Sequence, residues 1–273
     1  MKYEVVDLKE RFENLKNPVK LSIYALDNSP EIEEKRKRPA ILILPGGGYG
    51  FTSDREAEPV AARFLGFGYS SFILRYSTNK DHYPTQLLEI SAAIAYIRER
   101  ADELHIAPDK IIVCGFSAGG HAAGTIGNFW HSDFIYDALD IPDGANRPNG
   151  LILCYPVITS GKYAHRGSFE NLLGDNCEGE LLENLSLENS VSADTPPAFV
   201  WHTAADPAVP VMNSILYTQA LAKVDIPFEL HIFSEGGHGL SMADETTASQ
   251  EGQILPQIQP WFDLCITWLK QTF

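Results

Sequence analysis

Short apolar runs alternate along this chain with longer stretches in which apolar residues recur every three or four positions. Val19 to Leu26 alternates apolar with polar residues and predicts a strand. The charged stretch Glu31 to Arg38 predicts a solvated turn. Ala40 to Leu44 is unbroken apolar sequence ending at Pro45, which predicts a strand buried on both faces. Asp54 to Leu65 predicts a helix closed by Gly66 and Gly68, and Tyr69 to Leu74 another strand. From Thr85, the residues Leu87, Ile90, Ile94 and Ile97 keep the helical step. Strands follow at Ile111 to Cys114, Leu151 to Cys154, Ala198 to His202 and Phe228 to Phe233. Helices follow at Ala118 to Phe129, Val211 to Lys223 and Pro260 to Lys270. Such alternation predicts an α/β fold, a mostly parallel sheet with helices on both faces.

Two segments break the rhythm. Residues 131–149 and 157–195 are rich in Gly, Pro and Asn, with only short helical patches such as Glu178 to Leu185. Long excursions of this kind wall a binding site as a small cap, or else decorate the surface. The 273 residues suit one large domain, 1–273, with these two stretches as insertions.

Composition narrows the field chiefly by exclusion. Hydrophobic residues at 44% and charged residues at 21% are ordinary for a globular enzyme. A formal net charge of −15 disfavours nucleic acid and anionic membranes as partners, because like charges repel. No run approaches the ~18 apolar residues of a membrane span. Met1 to Glu10 lacks the apolar core of a secretion signal, so a cytoplasmic protein is expected. Cys114, Cys154, Cys177 and Cys265 lack metal-type spacing and read as small hydrophobes. No metal or other cofactor is expected, and homo-oligomerisation is left open.

The strongest chemical signal is Gly115-Phe116-Ser117-Ala118-Gly119, with Gly120 next. It follows a predicted strand and precedes a predicted helix, the context in which a G-x-S-x-G turn lifts its serine clear of a sheet. The helix behind it aims N–H groups and the positive dipole end at a developing oxyanion. A serine hydroxyl needs a base, and the base needs a carboxylate to orient it. His238, in Glu235-Gly236-Gly237-His238-Gly239, hangs in a flexible loop after the last strand, where it can reach the serine. His202 is its main rival, although both His202 and His231 lie in predicted strands. His121 lies one turn into the helix, pointing away. Asp206, just past the strand that ends at His202, is the candidate acid. Asp194 and Asp225 compete but precede strands, at the wrong edge. Donors for the oxyanion come from the N–H of Ala118 and from the loop Pro45-Gly46-Gly47-Gly48-Tyr49, with Gly47 and Gly48 chosen to within one residue. That loop lacks the Lys-Ser/Thr ending of a phosphate loop. Tyr49, Phe51, Phe116, Tyr155 and Trp201 can each line a pocket or pack in the core.

Pro-Gly-Gly-Gly-Tyr at 45–49, Gly-Phe-Ser-Ala-Gly-Gly-His at 115–121, Asp206-x-x-Val209-Pro210 and Gly-Gly-His238-Gly resemble the esterase/lipase group of α/β-hydrolases. More narrowly, they resemble bacterial acetyl-xylan-esterase-like and feruloyl-esterase-like sugar-ester hydrolases. The resemblance covers residues 40 to 240 in the family's order. It implies an α/β-hydrolase fold, a Ser117–Asp206–His238 triad and an oxyanion hole from Ala118 and the glycine loop. Pro45 stands where many hormone-sensitive-lipase-like relatives carry His, which favours the sugar-esterase branch. The expected activity is removal of short acyl groups, above all acetyl, from a small soluble ester of a sugar or oligosaccharide. A peptidase of the prolyl-oligopeptidase type and a non-catalytic binding protein on the same fold are the rivals. The first usually needs a propeller, for which 273 residues leave no room, or carboxylates that anchor an amine; the second needs no intact triad.

Overall fold

In strand β3 (Arg38–Leu44), Ile41 and Ile43 face one side of a sheet and Ala40, Leu42 and Leu44 the other, and none touches solvent. The same two-sided burial runs through residues 111–116 of β5 (Ile106–Phe116), and through β6 (Gly150–Cys154) and β7 (Ala198–Thr203). Burying each such aliphatic side chain is worth roughly 1.5–3 kcal/mol, so helices must cover both faces. The computed structural model describes all residues, 1–273. With β1 (Lys2–Asp7), β2 (Lys20–Ala25), β4 (Ser70–Arg75) and β8 (Phe228–Phe233), these strands form one open sheet ordered β1-β2-β4-β3-β5-β6-β7-β8. The pairs β1·β2 and β2·β4 are antiparallel; all others are parallel.

On the Ile41 side lie α1 (Glu58–Gly66) and α8 (Trp261–Thr272), through Phe64, Trp261 and Phe262. On the Leu42 side lie α2 (Thr85–Glu99), α3 (Ala118–Phe129) and α7 (Met212–Lys223). Leu87, Ile90, Ile94 and Ile97 form the inner stripe of α2, as their spacing predicts. All four cysteines are free thiols, three of them buried.

Three departures from the pattern have physical causes. The helix expected from Asp54 is broken: a 3-10 turn covers Asp54–Glu56, and α1 begins only at Glu58, with Pro59 in its first turn where a missing N–H does no harm. Met1 to Glu10 supplies β1, whose alternation is that of an edge strand wet on one face. The excursion 131–149 leaves the far end of α3 and enters β6, so it runs at the opposite sheet edge from Ser117. Its helix α4 (Asp133–Leu139) buries Ile135 and Leu139 in the core shared with α2. The excursion 157–195 carries α5 (Arg166–Leu173) and α6 (Gly179–Asn184), and α5 reaches the cleft described next.

Candidate active site

The parallel strands all end at one edge, so the loops after β3, β5, β7 and β8 converge there. Ser117 stands between β5 and α3 with φ 53° and ψ −118°, a conformation costing about 1–3 kcal/mol for a residue with a side chain. Its neighbours hold it in place. Its N–H donates to the Cys154 carbonyl at 3.0 Å, and its carbonyl accepts from Val157 and His121 at 3.0 and 3.1 Å. The elbow also demands bare backbone: a Cβ on Gly119 would lie 2.1 Å from the Leu44 carbonyl oxygen.

Ser117 Oγ lies 2.7 Å from His238 Nε2, and His238 Nδ1 lies 2.6 Å from Asp206 Oδ2. An Nδ1–H donated to the carboxylate leaves Nε2 as the lone-pair nitrogen facing the hydroxyl. The Asp206 side chain is sealed from solvent, and its Oδ1 accepts the N–H groups of Ala208 and Val209, both at 2.9 Å. Burial pushes its carboxyl pKa up. The hydrogen bonds from His202, His238 and Val209 outweigh burial and hold it well below the usual range. The structure thus brings Ser117, Asp206 and His238 together across 121 and 32 residues of sequence. His202 is buried: its Nε2–H is shared between the Val209 carbonyl at 2.9 Å and Asp206 Oδ2 at 3.4 Å, and its Nδ1 accepts from Ser214 at 2.7 Å, which props the acid loop from beneath. His121 is likewise spent. Its Nδ1 accepts from the Tyr49 hydroxyl at 2.8 Å and its Nε2–H donates to Leu185 at 2.9 Å, and burial lowers its pKa to about 4.

In the glycine loop the direction of each peptide can be followed. The Gly46 carbonyl accepts from Ser53 N–H at 2.9 Å, and the Gly47 carbonyl from Gly50 and Phe51 at 3.0 and 3.3 Å. The Gly48 carbonyl accepts from Asn171 Nδ2 at 2.8 Å. In a trans peptide the next N–H points the opposite way. The N–H groups of Gly47 and Gly48 therefore turn away from those anchors and remain unspent, whereas Gly46 N–H goes to Glu56. Gly47 needs its φ of +134°, and a Cβ there would meet the Phe51 carbonyl oxygen at 2.2 Å. Ala118, first residue of α3, has no intrahelical acceptor for its N–H.

Gly47, Gly48, Ser117 and His238 open into a cleft of about 440 Å³. Of its twelve lining residues only Phe51 carries a large apolar side chain, 63% exposed at the rim. Tyr49, Phe116, Tyr155 and Trp201 are core instead. A depression of about 550 Å³ beside α2, lined by Arg11, Arg98, Glu99 and Asp143, holds no nucleophile–base pair.

The prolyl oligopeptidase family matches over residues 88–255, and BD-FAE over residues 26–144. Endo-1,4-beta-xylanase B of Butyrivibrio fibrisolvens is 40% identical over 214 residues, 77% of this chain and 33% of that protein. Acetylxylan esterase of Xylanibacter ruminicola is 28% identical over 228 residues, 81% and 45% of the two. This chain thus spans less than half the length of either curated relative. The solved acetyl ester-xyloside bifunctional hydrolase from Caldicellulosiruptor lactoaceticus superposes with a TM-score of 0.84 at 36% identity, covering 98% of this chain and 96% of that one. The chain belongs to the α/β-hydrolases, among the esterases.

Some residues of this hydrolase escape sequence reasoning. His165 and Asn171, from the irregular 157–195 stretch, line the cleft, and burial lowers the His165 pKa. Arg55 lines it from the 3-10 turn. Glu56 is buried beside the glycine loop, although an acid opening a helix ordinarily faces water. Nothing in the hydrophobic pattern marks any of these four. No helix of the hydrolase is long and apolar enough to cross a membrane.

Proposed function

We propose that the chain removes short acyl groups, chiefly acetyl, from small soluble sugar or oligosaccharide esters, with Ser117 as nucleophile. The observation that carries this is the Ser117–His238–Asp206 relay opening into a cleft with a single large apolar side chain. Such a cleft offers hydroxyl groups many partners and a long acyl chain almost no surface to bury. Ser117 Oγ bonds to the carbonyl carbon as His238 Nε2 takes the hydroxyl proton. The former carbonyl oxygen becomes an oxyanion held by the N–H groups of Gly47, Gly48 and Ala118. Collapse breaks the bond to the alcohol, which leaves with the proton from His238. Water then repeats the sequence on the acyl-enzyme, releasing the acid and restoring Ser117. Asp206 keeps the imidazole oriented and stabilises its cation. Acetyl-ester chemistry in the names of two relatives supports the acyl preference.

The test is a panel of esters from acetyl to octanoyl, with feruloyl esters and acetylated sugars. Acetylated sugars should give the highest kcat/KM; a rise with chain length would overturn the substrate reading. The match to the prolyl oligopeptidase family favours a second reading, a serine peptidase on the same three side chains. Faster turnover of a prolyl naphthylamide than of an acetyl ester would establish it.

A further inference from the structure

Glu56 is a buried acid that the hydrolytic steps above leave unused. It is 4% exposed and forms no ion pair with a lysine or arginine. Its Oε2 accepts Gly46 N–H at 2.8 Å, and its Oε1 accepts the Tyr155 hydroxyl at 2.7 Å. The Tyr155 oxygen in turn accepts Ser241 N–H at 2.8 Å, three residues beyond His238. The Tyr155 ring meets the His238 imidazole edge-on, with centroids 5.1 Å apart and planes at 72°. A continuous chain of contacts therefore runs from the glycine loop through one carboxylate and one phenol to the loop carrying His238. On the other side of the Pro45–Gly46 peptide, the Tyr76 hydroxyl donates to the Pro45 carbonyl, so that peptide plane is gripped at both ends.

A carboxylate sealed from water is a costly way to fill space. What it can do, and an apolar residue cannot, is accept donors from two separate loops at once. We infer that Glu56 is a positioning residue, holding the oxyanion donors and the imidazole in one fixed register. This rests on the roles given above to Ser117, His238 and the glycine loop. Burial raises the carboxyl pKa of Glu56, and the bonds to Tyr155 and Gly46 oppose that rise. The two acceptor oxygens, not the charge alone, are therefore the feature to remove.

Glu56→Gln keeps the shape and replaces one acceptor with an NH₂ donor, so either Gly46 N–H or the Tyr155 hydroxyl loses its partner. On p-nitrophenyl acetate kcat should fall about 10- to 100-fold with KM changed by no more than about twofold. Affinity for phenylboronic acid, which forms a tetrahedral adduct on serine, should fall by the same factor as kcat/KM. Tyr155→Phe should lower kcat less, and the double variant should be no slower than Glu56→Gln, because both act through one chain of contacts. A folded Glu56→Gln with unchanged kcat would overturn the inference. So would additive losses in the double variant, or a loss matched by a smaller fraction of molecules labelled by a fluorophosphonate. If Glu56→Gln does not fold, Tyr155→Phe decides: a kcat loss at constant KM supports the inference, and unchanged kcat overturns it. Wild-type protein that no fluorophosphonate labels would instead refute Ser117 as nucleophile, a separate failure.

Discussion

The two sides of the cleft are made of different material. After β3 and β5 the chain presents main-chain N–H groups, and the carbonyls of Pro45, Gly46, Gly47 and Gly48 are all tied down behind them. After β7 and β8 it presents side chains: His238 Nδ1 lies 2.6 Å from Asp206 Oδ2, and the Thr203 hydroxyl donates to the Gly236 carbonyl of the same loop at 2.9 Å. Dipoles that meet a developing charge work best when they need not reorganise. A base must take a proton from one oxygen and give it to another, which backbone cannot do. Main-chain dipoles thus face the proposed oxyanion, and a side chain oriented by Asp206 faces the proton.

Four substitutions would break or sharpen that contrast. The largest effect belongs to the side-chain half: His238→Ala should lower kcat by about 10⁴ in steady-state assays while leaving the melting temperature nearly unchanged. Gly47→Ala strikes the backbone half. Its Cβ has no room, so the loop must shift, and kcat should fall by about 10²–10³ while a fluorophosphonate still labels the serine. Retained activity would mean that Gly47 lies outside the oxyanion site.

Next comes acid sensitivity through His121, which braces Tyr49 at the end of the glycine loop. Its folded pKa of about 4 is depressed below the ordinary 6.5 by burial, so the unfolded chain binds more protons between those values. Its contribution is fully present above pH 6.5 and is lost as pH falls toward 4, amounting to roughly 3 kcal/mol. Urea unfolding at pH 7 and pH 4 should show that difference shrink by about this amount in His121→Gln. The smallest effect is expected from Phe51→Ala at the exposed rim: stability should change by less than ~0.5 kcal/mol, and only KM for acetylated sugars should rise.

The same contrast governs how much could be read from the chain. Ser117, His238 and Asp206 were legible because each sits in a motif whose place after a strand is set by hydrophobic pattern. Ala118–Phe129 and Phe228–Phe233 have the predicted bounds for the same reason. The glycine loop was visible as a loop, but which N–H groups remain unspent depends on how the chain turns back at Gly50 and Ser53 and on Asn171, 123 residues from Gly48. Glu56 resembled an exposed helix opening because its burial follows from Tyr155, 99 residues away. Helices α4 and α5 are too short for periodicity to declare them. The excursion 131–149 was expected to wall a site or decorate the surface. Since it leaves a helix and not a strand, it lies at the wrong edge to do the former.

Strand β8 closes the sheet at its outer edge. It has a strand on one side only, and every residue in it keeps some contact with water, whereas its neighbour β7 is wholly enclosed. Outermost strands loosen before a core does. Gentle heating should therefore slacken the mooring of the imidazole while the serine stays anchored in the middle of the sheet, so turnover would fade below the melting temperature and return on cooling.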